Sequence, residues 1–267
     1  MLFRSKCHPD FIKLTAARHL QLRFGKQLAE GFVDHWAIFR ERCQIEGELA
    51  RAAARQGTDD EYTLHHVLEV LLQRVVKAPG LALARVADEL AAAELALEKA
   101  NTFPDPDCRH VISQYPAEQT LFLSDFYMPA PMLRELLSHH GLDDIAGDGL
   151  SSCDLRLNKR SGQLFRHVHE AFAVAPEHHV HIGDNAHADV SIPGAIGIKS
   201  VHYLPEQPHA DRQLRESLFA DRATLFAHLE GIIAASRDEA LAQRQGVART
   251  AFENQVCSAL LAQTILF

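Results

Sequence analysis

The sequence lacks most of the features that fix a protein's class at a glance. Its five cysteines, Cys7, Cys43, Cys108, Cys153 and Cys257, are scattered without a CxxC pair. That spacing argues against a zinc site and against a disulfide framework. Positive charge is not in excess: 27 Lys and Arg stand against 35 Asp and Glu, a formal net charge of −8. No basic surface therefore advertises nucleic acid or an anionic membrane as a partner. No apolar run approaches the roughly 20 residues that span a bilayer. The opening Met1-Leu2-Phe3-Arg4-Ser5-Lys6 has no apolar stretch of the kind a secretion signal needs. There is no GxxxxGK[ST] phosphate loop, no GxGxxG after an early strand and no HExxH helix, which sets aside P-loop enzymes, dinucleotide oxidoreductases and helical zinc hydrolases. The expectation is a cytoplasmic protein with reduced thiols.

Histidine is abundant, with 17 residues. The groupings His139-His140, His167 with His169, and His178-His179 with His181 suggest metal at first sight. Their positions at helix ends and beside strand ends fit half-exposed imidazoles better.

The first hundred residues read as helices. Leu64, Val67, Leu68, Leu71, Leu72 and Val75 recur at i, i+3 and i+4, one buried helix face within 63–77. Thr63 is a good N-cap and Pro79-Gly80 a stop. Leu83, Val86, Leu90 and Leu97 continue on an Ala-rich helix, and looser patterns run over 11–24 and 32–49. No strand is expected in this half.

The texture changes after Pro116. Thr120-Leu121-Phe122-Leu123 is a short apolar run suited to a strand covered on both faces. Pro129 and Pro131 open a helix that Gly141 closes. Further strands are expected at 149–153, 179–182 and 198–204, with a helix over 162–172 and a brief one broken by Pro193. Strands alternating with helices predict a parallel sheet, with ligands at the carboxyl ends of its strands. Helices return after Pro205, through Leu218, Leu225, Ile232 and Ile233 and over 252–267. The apolar end Ile265-Leu266-Phe267 is expected to pack on a partner or a further domain. The predicted organisation is a helical cap-like region over 1–115, an α/β core over 116–205 and a helical extension over 206–267.

Polar residues gather at the expected strand ends. Leu123-Ser124-Asp125 places a hydroxyl and a carboxylate after an apolar strand. Asn158-Lys159-Arg160-Ser161-Gly162 is a cationic loop before a helix. Gly183-Asp184-Asn185-Ala186-His187-Ala188-Asp189 sets two carboxylates five apart across a strand-to-helix turn. A hydroxyl and an ammonium suit phosphate oxygens, and hard carboxylates suit magnesium. Each also has a plain structural reading: Ser124 as a turn cap, Lys159 as a solvated loop lysine, Asp189 as a first-turn helix acid.

Phe122-Leu123-Ser124-Asp125-Phe126-Tyr127-Met128-Pro129, then Lys159-Arg160-Ser161-Gly162-Gln163-Leu164-Phe165, then His181-Ile182-Gly183-Asp184-Asn185 with Asp189 and Gly197, resemble the second, third and fourth motifs of the haloacid dehalogenase-like hydrolases. The likeness is to a bacterial branch with an "SDMYLP"-type second motif, often encoded near surface-polysaccharide genes. It covers about residues 118–204, and the helices before it resemble the family's cap. The resemblance implies a Rossmann-like parallel sheet and phosphoester hydrolysis with Mg²⁺ on a small phosphorylated substrate. It implies that Ser124 and Lys159 bind the phosphate, that Lys159 has the catalytic role of neutralising phosphate and nucleophile charge, and that Asp184 and Asp189 serve the metal.

One departure counts against activity. The family's first motif, an apolar strand ending Asp-x-Asp that supplies the nucleophile and the general acid, has no match before Pro9. The strand between residues 121–124 and 179–182 is then missing too, and those two strands are expected to face each other with unpaired backbone groups. Each buried orphan costs about 1–3 kcal/mol. Either the start is too late, which the abrupt onset of the resemblance at Met1 favours, or the chain is a fragment or pseudoenzyme. In the second case it is a non-catalytic phosphate- and metal-binding accessory domain. Asp125 is a poor substitute nucleophile, because Tyr127 stands where the second acid would be.

Overall fold

The computed structural model describes residues 2–32, 34–77, 82–205, 209–214 and 216–221. The chain divides into two compact units, Met1–Arg212 and Gln213–Phe267. Every element below belongs to the first. The stop at Pro79-Gly80, most of the helix expected through Leu225 and Ile233, and that over 252–267 lie outside the described residues.

The unit opens with β1 (Phe3–Ser5), followed by α1 (Pro9–Phe24), α2 (His35–Arg55), α3 (Leu64–Val75) and α4 (Leu83–Asn101). Each start has a local cause. His8 Nδ1 accepts from Asp10 N with Pro9 in the first turn of α1, and Asp34 caps α2 by accepting from Ala37 N. Asp34 moves the start of α2 later than the apolar pattern suggests. Thr63 caps α3 as expected, and Leu64, Val67, Leu68, Leu71, Leu72 and Val75 are all buried. Each such side chain contributes about 1.5–3 kcal/mol relative to exposure. α3 packs against α2 and α4, whose Ile38, Ile45 and Leu90 are buried as well.

The helical half also holds a strand pair, contrary to expectation. β1 runs antiparallel to β2 (Thr102–Pro104), with Phe3 opposite Pro104 and Ser5 opposite Thr102. Three residues are too few for alternation to register in the sequence, and the pairing joins the two ends of the helical segment. Asp105, just past β2, is buried; it pairs with Arg4 and accepts from Tyr203 Oη at 3.0 Å.

After α5 (Cys108–Ser113) comes the α/β part: β3 (Phe122–Ser124), α6 (Ala130–His139), α7 (Asp143–Ala146), β4 (Gly149–Ser151), α8 (Ser152–Leu155), α9 (Gln163–Phe172), β5 (Val180–Gly183), a π-helical turn (Ala186–Ser191), α10 (Ile192–Ala195) and β6 (Lys199–His202). Pro193 opens α10 rather than breaking it. β3 pairs parallel with β4, Leu123 opposite Leu150, and β5 parallel with β6, Ile182 opposite Val201. The expected single sheet is thus present as two separate two-stranded ladders. β3 and β5 line a shared cavity of about 1700 Å³, whereas β4 does not reach it and β6 contributes only Lys199. No strand joins the two ladders among the described residues.

Candidate phosphate-binding site

Three chain turns line this cavity. The first follows β3 and carries Ser124, Asp125, Phe126 and Tyr127. Its shape is fixed from outside: Ser151 Oγ donates to the carbonyls of Phe126 (3.0 Å) and Met128 (2.7 Å), and Phe126 N donates to Ser152 Oγ at 3.2 Å. The second turn precedes α9. Its Lys159 N donates to both oxygens of Asp125, at 3.0 and 3.2 Å. Gly162 takes a φ of 79° at the helix N-cap, a conformation that glycine adopts without strain.

The third turn follows β5. Asp189 is buried there, and Lys159 Nζ reaches its Oδ1 at 2.6 Å. His181 Nε2 lies 2.9 Å from the same oxygen, and Asn185 N donates to Oδ2 at 3.0 Å. Gly183 is required at the end of β5, because a Cβ there would stand 2.3 Å from Asp189 Cγ. A continuous set of bonds thus runs from the Ser124-Asp125 turn through Lys159 to Asp189 and Asn185.

The electrostatics follow from these contacts. Burial pushes the Asp189 carboxyl up, but the His181 hydrogen bond and the charge and bond of Lys159 outweigh it, leaving Asp189 well below the usual carboxylate range. Burial lowers His181, against the opposing bond to Asp189. Burial raises Asp125, opposed by the Lys159 backbone N–H and charge.

Ser124, Lys159, Asp184 and Asp189 all line the same cavity. The two acids differ in what they offer it. Both oxygens of Asp189 accept hydrogen bonds, from Lys159, His181 and Asn185, so it braces Lys159 and the turn. Asp184 is more exposed, and its Oδ2 accepts from Arg212 at 3.0 Å. Among the described residues no three His, Cys, Asp or Glu side chains converge as a ligand set. The four described cysteines are free thiols, and no described helix is long and apolar enough to cross a membrane.

Sequence reasoning missed several contributors. The acidic turn before α3 docks on the Lys159 loop: Asp59 accepts from Asn158 N, Ser161 Oγ and Gln163 Nε2, and Asp60 from Asn158 and Arg160. Glu61 lines the cavity and accepts from Ser152 Oγ at 2.7 Å. In sequence this turn is only a polar stretch between helices, and its partners lie far along the chain. The sequence does hold one Asp-x-Asp spacing, Asp105-Pro106-Asp107 directly after β2. Asp105 is sealed by Arg4 and Tyr203 and does not line the cavity. A further miss had a visible signal: Arg42 falls among the apolar residues of α2 and Glu94 among those of α4, and the two meet as a buried bidentate pair.

No protein-family model matches the sequence, and no curated protein matches it. Among solved structures, the chain is similar to a 2-haloacid dehalogenase from Pseudomonas syringae pv. Tomato, with 18% identity over 81% of this chain and 94% of that one and a TM-score of 0.47. It is similar to the L-2-haloacid dehalogenase from Xanthobacter autotrophicus, with 17% identity over 80% and 78% of the two chains and a TM-score of 0.43. A structure described as a predicted phosphoglycolate phosphatase from Haemophilus somnus gives 9% identity over 74% and 78%, with a TM-score of 0.41.

Proposed function

We propose that the chain is a haloacid dehalogenase-like phosphoester-hydrolase scaffold whose cavity binds a small phosphorylated molecule together with Mg²⁺. The observation that carries this reading is the common placement of Ser124, Lys159 and Asp184 on one cavity, with Lys159 held between Asp125 and Asp189. Ser124 Oγ donates to a phosphate oxygen. Lys159 Nζ, oriented by Asp189, supplies a positive charge in a partly dry pocket, where it counts for more than in bulk water. Asp189, itself bonded to His181, keeps that ammonium in place.

The donor set suits magnesium at one position. Asp184 is a hard oxygen donor on the cavity, and Mg²⁺ needs only one or two carboxylates alongside phosphate oxygens and water. Asp184 would hold the ion, which would offset phosphate charge, while Asp189 supports the turn.

Among the described residues, none of the carboxylates lining the cavity stands in an Asp-x-Asp pair at a strand end. The chain as numbered is therefore proposed to turn over phosphoesters weakly or not at all. A non-catalytic phosphate-binding domain is the second reading, favoured by that same absence. An aryl phosphate assay tests both, run on this chain and on one carrying an appended apolar strand that ends Asp-x-Asp. Activity in the extended chain alone supports the hydrolase scaffold, and phosphate binding without turnover in either supports the binding domain. Equal, strong activity in both would overturn this account of the nucleophile.

A further inference from the structure

The turn after β3 is held by a different partner at almost every residue, and those partners are unlike in origin. Asp125, Phe126 and Met128 are fixed by Lys159, Ser152 and Ser151, all from the α/β part. Tyr127 reaches into the helical half. Its carbonyl accepts from Leu64 N at 2.8 Å, the first residue of α3. Its hydroxyl donates to Glu94 Oε1 at 2.9 Å, and that carboxylate receives Arg42 Nη1 and Nη2 at 2.6 and 2.7 Å. The ring lies 5.5 Å from Lys13 Nζ and 5.6 Å from the Arg42 guanidinium carbon, both in cation–π range. Lys13 and Arg42 both continue to Glu46, at 2.6 and 3.0 Å. One side chain thus gathers α1, α2 and α4 onto the turn that carries Ser124 and Asp125.

Arg42 and Glu94 are almost fully buried. A buried ion pair contributes little net stability compared with apolar packing, yet it is costly to leave half-made. Its direction is therefore fixed by its partners, and Tyr127 is the partner that belongs to the phosphate turn. We propose that Tyr127 is a positioning residue for phosphate binding, transmitting the placement of the helical half to Ser124 through the Arg42–Glu94 pair. This rests on the phosphate-site reading above and adds a residue that touches no substrate.

The test is calorimetric titration of the full chain with inorganic phosphate and Mg²⁺, comparing wild type, Tyr127→Phe, Glu94→Gln, the double variant and Lys159→Met. Tyr127→Phe keeps the ring between its two cations and removes only the hydroxyl. The expected result is a roughly fivefold to tenfold weaker phosphate Kd at a temperature where every variant is fully folded. Glu94→Gln should give a similar loss and the double variant little more, since both break one linkage. A tyrosine with a merely structural role would lower Tm and leave Kd unchanged, and that outcome overturns the proposal. Should Glu94→Gln fail to fold, Tyr127→Phe alone decides. If Lys159→Met abolishes binding while Tyr127→Phe does not weaken it, this inference fails and the phosphate site stands. If wild type binds no phosphate, or Lys159→Met binds it unchanged, the site reading falls and the inference with it.

Discussion

Lys159 and Asp189 form a short ion pair, 2.6 Å from Nζ to Oδ1, with side chains only 13% and 4% exposed. It joins the turn before α9 to the turn after β5, so the same contact that shapes the pocket also stabilises the α/β part. Removing one partner leaves the other as a buried charge, which typically costs about 3–5 kcal/mol. Lys159→Met should therefore lose phosphate affinity and a large part of its stability together, measured by titration and by urea unfolding.

Asp189 carries an acid dependence with a definite sign. Its carboxyl lies lower in the folded chain than in the unfolded one, so its stabilising effect is present above about pH 4 and is lost as pH falls below that. Asp189→Asn should be less stable at neutral pH and show a flatter decline in strong acid. His179 acts at higher pH. Burial, with repulsion from His181 and His169, lowers it to about 4, so stability should fall as pH drops from about 6.5 toward 4. A His179→Gln chain should lose that slope in pH-dependent thermal melts.

Glu98 has the opposite sign. Burial, reinforced by Glu94 and opposed by Arg42, raises its carboxyl to about 7, and the residue is 7% exposed. Its neutral form belongs to the folded state, so stability is fully present below about pH 4 and is lost as pH rises through 7. Glu98→Gln should be more stable than wild type at pH 8 by about 3 kcal/mol and nearly equal at pH 4. Chemical denaturation at the two pH values checks this.

Gly183→Ala tests the close approach of Asp189. The added methyl has no room beside the Asp189 carboxyl, so that side chain must shift and carry Lys159 with it. The expected cost is about 1–3 kcal/mol of stability with a matching loss of phosphate affinity, whereas Gly57→Ala, with open space but a φ of 84°, should cost stability alone.

Much of this arrangement is legible in the sequence because it is local. The Thr63 cap, the apolar stripe of α3, the Pro-start and Gly-stop of α6 and the short apolar strands each follow from a few neighbouring residues. Ser124, Lys159 and Asp184 were identifiable because strand-end loops in parallel sheets gather on one side. What escaped was non-local. β1 and β2 are too short to show a period, and the docking of Asp59 and Asp60 on Asn158 and Arg160 depends on residues far apart in the chain. The contacts inside the site are non-local as well. That Asp189 accepts from Lys159, His181 and Asn185 depends on residues from separate turns, which no local pattern shows.

The most direct measurement is equilibrium titration of the full chain with inorganic phosphate in Mg²⁺, comparing Ser124→Ala, Lys159→Met and Asp184→Asn. Ser124→Ala and Lys159→Met should each weaken phosphate binding with or without the ion, and Asp184→Asn only in its presence. Binding left unchanged by all three substitutions would contradict a shared pocket at the carboxyl ends of β3 and β5.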